Sequence, residues 1–597
     1  MTAFARVAFG LLVLATFGAF FVAQRIKQSP PKIQSLRGAP VFSPNGDGRF
    51  DRMAFSFRLD EADEVDVTMV SSSGDDVKTL RKRLVVQAYR QVETIRWDGR
   101  DDAGRRVPDG IYRPRLTLRR QGRSVVAQKS FRLDTRPPRP RVVYVSPDPA
   151  PVAELLPRPD RRPATIGLAD TGTRTRVVIV RTAPTPTRRI LGIDVRDEAT
   201  SVTWDGRVKG RAVAPGTYLA IVETRDQAGN VGTSVPVDAE GFPQLPRGKR
   251  RLPGRGGISV RYLGVQPPLE PIPPRGVAEF FVDARRARYR WSLRRISGPV
   301  IKRGRGTRPR LRIAMPRGIS GAFVLRVATT TRVTQVPVAV MGTKPRAGLV
   351  VLPAMTWQGR NPVDDDGDGL PNLLDLGAGA RLGRVLARDG LPRGFATHEA
   401  PVLAFLDRTG RRYDLTTDVA LAAGRGPRLE DHKGVLLPGD TRWLPRDLGI
   451  RLRRFARRGG VVVSLGTDSL RREVRVTRRG RLVEPTAAAP TDLFGARLKP
   501  VERSRTELTN FSDDIGLFSG DEGRFANVDA FEETDSVGSQ ADPVATAVTP
   551  AGRPVIVAAR LGRGLVIRTG LPSFATRLTP DPASAELLAR TWTLLSR

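Results

Sequence analysis

Cysteine is absent from the 597 residues. That absence excludes disulfide staples, thiolate-bound metals and a cysteine nucleophile together. Histidine is nearly absent: only His398 and His432 occur, so a three-histidine metal centre cannot form. Acidic residues are scarce beside basic ones, 61 against 100, for a net charge of +39. Long apolar runs are scarce as well. One occurs, from Val7 to Ala23, and a polytopic membrane protein is excluded. What is present is globular. Hydrophobic residues make up 40% and charged residues 27%, enough to bury real cores and to exclude wholesale disorder. The length allows roughly four domains of about 150 residues. The 59 Gly and 49 Pro favour many short strands and turns.

The positive excess has two readings. An anionic partner is one: lipid headgroups, envelope polymers or nucleic acid. A general arginine bias on solvated faces is the other, and it is favoured, because arginine is scattered through strands (Arg113, Arg115, Arg119) and loops (Arg303, Arg305, Arg308) alike. Nucleic acid is disfavoured, since no aromatic stripe accompanies the charge.

The run Val7–Ala23 follows Arg6 and precedes Arg25 and Lys27. Its length is at the short end for a bilayer-spanning helix. Ala15-Thr16-Phe17 and Ala19-Phe20-Phe21 lack the small residue that a cleavage site needs. The expectation is an uncleaved signal anchor over 1–26, with a cleaved signal peptide as the alternative, then a Pro-containing linker over 27–38. Membrane contact through residues 7–23 would leave the bulk of the chain extracytoplasmic at a cell membrane. Charge flanks both ends, so orientation is not fixed by the charge rule.

A repeat occupies the next part. Trp97-Asp98-Gly99-Arg100 leads to Pro108-Asp109-Gly110-Ile111-Tyr112, and Trp204-Asp205-Gly206-Arg207 leads to Pro215-Gly216-Thr217-Tyr218. The offset, 107 residues for Trp and 106 for Tyr, is the size of one β-sandwich. Asp-Gly supplies the positive φ of a tight turn. Tyr112 to Leu118 alternates like a strand. Trp and Tyr are expected in the core, sugar stacking being the lesser reading. The opening Phe42-Ser43-Pro44-Asn45-Gly46-Asp47-Gly48 and the later Asp226-Gln227-Ala228-Gly229-Asn230 resemble the immunoglobulin-like repeats of flagellar hook-capping proteins and related bacterial surface proteins. The resemblance implies sandwiches over 39–137 and, more loosely, 138–240. Alternation in 255–343 (Phe280-Phe281-Val282, Phe323-Val324-Leu325) adds a third.

From about residue 345 the pattern becomes strand, loop and helix. Gly348–Leu352, Gly434–Leu437 and Val461–Ser464 read as buried strands, and Leu448–Arg458 as an amphipathic helix ending at Gly459-Gly460. That succession predicts a parallel α/β sheet. The run Tyr413-Asp414-Leu415-Thr416-Thr417-Asp418, then Val435–Gly439, Trp443 and Phe455, is similar to the C-terminal domain of the N,N-dimethylformamidase large subunit, a relative of class I glutamine amidotransferases. The resemblance spans 345–597 and implies a flavodoxin-like α/β domain and, in the amidase, iron held by tyrosines and a glutamate. This chain departs from that pattern. Gly439 stands for the histidine, Thr441 for the glutamate, Arg442 and Arg360 for tyrosines. Arginine offers no anionic oxygen, so no iron is expected. At the amidotransferase nucleophile turn stands Ser464-Leu465-Gly466, without Cys or a G-x-S-x-G frame. Ser464, Asp440 and His432 are the remaining catalytic candidates.

The sharpest local chemistry is Asp364-Asp365-Asp366-Gly367-Asp368-Gly369-Leu370-Pro371-Asn372-Leu373-Leu374-Asp375. Asp364, Asp366 and Asp368 take positions 1, 3 and 5 of a calcium loop, Gly369 the turn, the Leu370 carbonyl position 7, Asn372 position 9 and Asp375 position 12. A structural Ca²⁺ is expected. The sequence thus reads as a membrane-anchored modular protein. Two or three immunoglobulin-like sandwiches form a stalk, and a flavodoxin-like head binds without catalysis. A hydrolase of amide or glycan bonds is the alternative.

Overall fold

The structure, a computed structural model, describes residues 3–28, 33–146, 150–152, 163–196, 198–285, 287–387, 389–518 and 523–597. Linker residues 29–32 lie outside that set. The molecule is mostly β-sheet, with 41% strand and 13% helix. Among the described residues no helix is long and apolar enough to cross a membrane. This corrects the expected fold class, which opened on a transmembrane helix. The helix Ala3–Gln28 does form.

Three two-sheet units follow. In the first, Ile33–Gly38, Met53–Leu59 and Ile95–Trp97 form one sheet, and Asp63–Val70 and Gly110–Leu118 lie at the middle of the other. Residues 33–38 are therefore strand, not linker. Met53–Leu59 alternates buried and half-buried side chains, the period-2 signature of a strand with one face on the core. Phe55, Phe57, Val65, Val67, Trp97 and Phe131 fill the space between the sheets. The second unit repeats the plan around Trp204, Tyr218 and Ile166. It also captures Gly257–Val260, which pairs with Gly216–Arg225, so this strand closes the second unit instead of opening the third. The third pairs Val277–Asp283 with Arg310–Ala314, and Tyr289–Arg295 with Gly321–Ala328.

The repeated motif makes the same contacts twice. Trp97 Nε1 donates to the Arg100 carbonyl at 2.8 Å, and Trp204 Nε1 to that of Arg207 at 3.2 Å. The Tyr112 hydroxyl donates to the Pro108 carbonyl and Tyr218 to that of Ala214, both at 2.7 Å. Gly99 and Gly206 hold φ of +73° and +76°, which explains glycine in both tight turns. Both Trp–Tyr pairs are buried, with ring centroids 5.0 and 5.4 Å apart. They are core, with no face left for a sugar.

The C-terminal unit is built on a nine-stranded sheet. Five strands run parallel: Tyr413–Thr417, Gly348–Leu352, Gly434–Leu437, Val461–Ser464 and Gly564–Arg568, in that spatial order. Four antiparallel strands continue it: Pro554–Leu561, Ala541–Val548, Thr506–Asp513 and Phe525–Val528. The parallel α/β sheet is extended into a mixed one, because the hairpin at Gly562, where residues 555–560 and 564–570 read as two paired strands, reverses the chain. Alternate residues of the parallel strands serve opposite faces. Val350, Leu352, Leu436 and Val463 meet the helices Glu399–Arg408 and Pro582–Ser596 on one side. Leu349, Val351, Val435 and Val462 meet Arg446–Arg457 on the other.

Hydrogen bonds join the units at several places: Arg295 and Ser297 to Asp407, and Thr417 to the Leu269 carbonyl, tie the third unit to the C-terminal one, and two further joints involve motifs singled out in the sequence. At the first joint, the Ser43 hydroxyl donates to Asn230 Oδ1 at 2.6 Å, and Asn230 Nδ2 donates to the Asp134 carbonyl at 2.8 Å. The two motifs singled out in the sequence thus touch each other. At the second, Gly257 N–H donates to the Gly367 carbonyl at 2.9 Å, Leu252 N–H to Asp368 Oδ2 at 2.8 Å, and the Thr182 hydroxyl to the Gly369 carbonyl at 2.5 Å. The aspartate loop is the connector between the second unit and the C-terminal one.

Candidate functional site

In an open sheet with parallel strands, ligands bind outside the carboxyl ends of the strands, where the strand order reverses. Here that place lies beyond Gly348–Leu352 and Gly434–Leu437. Ser464 ends its strand there, and Asp440 follows Gly434–Leu437. The Ser464 side chain is buried, and its hydroxyl has no hydrogen-bond partner. Asp440 Oδ1 accepts from Thr467 N–H at 3.2 Å, and its other oxygen lies 4.0 Å from Arg360.

His432 is elsewhere. It precedes Gly434–Leu437 and is buried, with Nε2 3.2 Å from Asp414 Oδ2 and Nδ1 2.6 Å from the Arg428 carbonyl. Ser464 sits beside Leu437 in register. Five residues of extended chain, roughly 16 Å, therefore separate the levels of base and hydroxyl. No proton can pass directly between them. His398 stands at the start of the helix Glu399–Arg408 and makes no side-chain cap bond. The three catalytic candidates are thus not one constellation.

The arginines that stand where the amidase resemblance expects tyrosines share one partner. Arg360 lies 3.4 Å and Arg442 3.2 Å from Asp375. Arg442 also binds Asp468, which pairs with Arg472 at 2.8 Å. The result is a self-neutralised guanidinium–carboxylate network over the strand ends. At Gly439, where the family carries a histidine, an added Cβ would lie 2.2 Å from Glu399 Oε1. Glu399 occupies that space. It is buried, accepts from Trp357 Nε1 at 3.2 Å, and leaves Oε2 without a partner. Burial above all, with the nearby Asp440 charge adding to it, pushes its carboxyl up to about 7. Sequence reasoning missed Glu399, Asp418 and the buried set Asp492, Glu532 and Arg568, which carry no motif.

The aspartate loop brings three of its expected ligands together. Carboxylate oxygens of Asp364, Asp366 and Asp368 lie within 4.8 Å of one another. Asp364 and Asp368 are buried, and one oxygen of Asp366 is buried without a partner. Burial pushes Asp364 up to about 7, and the Asp368 and Asp366 charges add to it; burial also raises Asp368. Crowded, desolvated carboxylates with a spare oxygen suit a hard divalent cation. Asn372 and Asp375 are engaged differently. Asn372 Oδ1 accepts from Asp365 N–H at 2.5 Å, and Asp375 is held by Arg360 and Arg442.

No family model and no curated protein matches the chain. Among solved structures, it is similar to a β-galactosidase from Bacillus circulans sp. alkalophilus (12% identity, 33% of this chain, 27% of that one, TM-score 0.23). It is also similar to an exo-β-1,4-mannosidase from Opitutaceae bacterium strain TAV5 (14% identity, 42% of this chain, 36% of that one, TM-score 0.25). A third is a tetra-tandem repeat in the extending region of a large adhesion protein (13% identity, 51% of this chain, 74% of that one, TM-score 0.17). The chain spans about a third of the two glycosidase chains. At such scores these likenesses do not bear on activity.

Proposed function

We propose that the chain is a modular display protein of the cell envelope. Its immunoglobulin-like sandwiches form a jointed stalk, and its C-terminal unit is a non-catalytic binding head. The observation that supports this reading is the pair of hydrogen-bonded joints. Asn230 ties the first sandwich to the second, and the aspartate loop ties the second to the head. Loops that an enzyme would spend on substrate are spent here on holding neighbours. The separation of His432 from Ser464 removes the base that a serine hydrolase needs.

In the same reading, Asp364, Asp366 and Asp368 hold Ca²⁺, with water and main-chain oxygens completing a shell of six to eight. The ion would offset three crowded carboxylates and stiffen the loop that grips Leu252 and Gly257. Ligand that binds only the folded state stabilises by about 2.7 kcal/mol at a hundredfold excess over Kd. Thermal melts of the full chain in millimolar calcium and in chelator test this. A rise in Tm with calcium is expected for the native chain and not for Asp366→Asn. Superimposed native melts would overturn the cation and the clamp it supplies.

A further inference from the structure

A large concavity lies apart from the strand-end network, with none of Arg360, Asp375, Arg442 and Asp468 in its lining. A cleft of about 1450 Å³ runs between the N-terminus of the helix Arg446–Arg457 and the turn at residues 477–480. Its walls carry seven arginines and four acidic residues. Two of the arginines are neutralised, Arg425 by Glu270 at 2.8 Å and Arg475 by Glu484 at 2.5 Å. Arg381, Arg446, Arg478, Arg479 and Arg481 remain. Among the described residues, none of these five has a carboxylate within ion-pair distance. Against them stand Asp447 and Glu473 alone.

The backbone holds these charges in place. Gly480 N–H donates to the Thr477 carbonyl and Thr477 N–H to the Arg481 carbonyl, both at 2.9 Å. That tight turn carries Arg478 and Arg479 at its exposed tip. Opposite, the helix begins at Pro445, which gives no side-chain cap, and Arg446 sits in its first turn. A cation there opposes the helix dipole. Asp447 in the same first turn offsets that opposition in part, and an anion lying between the two walls would bring the guanidinium groups of both within its reach.

We infer that this cleft binds a linear anionic polysaccharide. The inference rests on the binding-head reading and gives it a site. The volume exceeds the roughly 300–1000 Å³ of small-molecule pockets, which favours a polymer lying along the cleft. A concave wall does not fit a flat lipid surface. No Phe, Tyr or Trp lines the cleft, so bases would find nothing to stack on, and nucleic acid is the weaker occupant.

The probes are polygalacturonate, neutral dextran and single-stranded DNA, titrated against the full chain and against Arg478→Glu/Arg479→Glu. Both positions are exposed on a turn, so the variant keeps its fold, which an unchanged Tm verifies. The expected result is polygalacturonate binding that weakens with salt, falls by about tenfold or more in the variant, and exceeds that of DNA and dextran. Binding undiminished in the variant overturns the cleft while leaving the head a binding unit. No binding of polygalacturonate overturns the ligand class. DNA bound as tightly as polygalacturonate overturns the choice of polymer.

Discussion

Arg568→Met destabilises the C-terminal unit by about 3–5 kcal/mol, the cost of stranding buried charge. Arg568 ends the strand Gly564–Arg568, in register with Ser464. Its guanidinium binds Asp492, and Glu532 at 3.2 Å, and all three side chains are buried. Asp492 also accepts from Phe494 and Ala496 N–H groups, both at 2.9 Å, and Glu532 from Asp468 N–H at 2.9 Å. Arg568 thus neutralises two carboxylates that the loops cannot release. Methionine fills much of the volume but leaves both carboxylates unpaired in the interior. Adding Asp492→Asn and Glu532→Gln removes those charges and recovers most of the loss, since replacing a whole buried ionic set by neutral groups is close to even. Denaturant unfolding followed by tryptophan fluorescence measures both steps. A loss below about 1 kcal/mol for Arg568→Met, or no recovery in the triple variant, would show that the set is not closed as described.

Glu399→Gln changes the pH dependence more than any surface substitution. The folded carboxyl titrates at about 7, raised chiefly by burial, while the unfolded value is 4.5. The folded state therefore holds the proton more tightly. The stability that this provides is complete below about 4.5 and is lost as pH rises through about 7. The differential amounts to about 3 kcal/mol at full ionisation. Asp418, pushed up to about 8 by burial, acts in the same direction. Glutamine keeps an acceptor for Trp357 and does not ionise. The variant gains on the native chain between pH 5 and pH 8, and parallel stability curves across that range would refute the buried carboxyl.

Much of this was readable in the residues where chemistry is local. The Trp-Asp-Gly-Arg and Tyr pairs announced two copies of one turn, and the copies share their hydrogen bonds. Alternation located the strands of the first units. Asp364, Asp366 and Asp368 meet because alternate residues of one tight loop have no choice. What was not readable depends on distant chain. Asp375 is drawn to Arg360 and Arg442, and Arg442 lies 67 residues away, so spacing alone does not reveal its partners. His432 and Ser464 belong to neighbouring parallel strands but to opposite ends, which a motif cannot reveal. The boundary near residue 255 failed because Gly257–Val260 pairs backwards with a strand forty residues earlier. Glu399 carries no signature, since a buried glutamate in a helix's first turn looks like an exposed one.

In the proposed stalk, loops lock neighbouring units together. Asn230 is the test, because it is buried and accepts from Ser43 and Asn45 while donating to Asp134. Small-angle X-ray scattering of the full chain compares the native protein with Asn230→Ala. Alanine is expected to broaden the distance distribution and raise the radius of gyration, with the strand signal in circular dichroism unchanged. Identical scattering curves for the two proteins would contradict it.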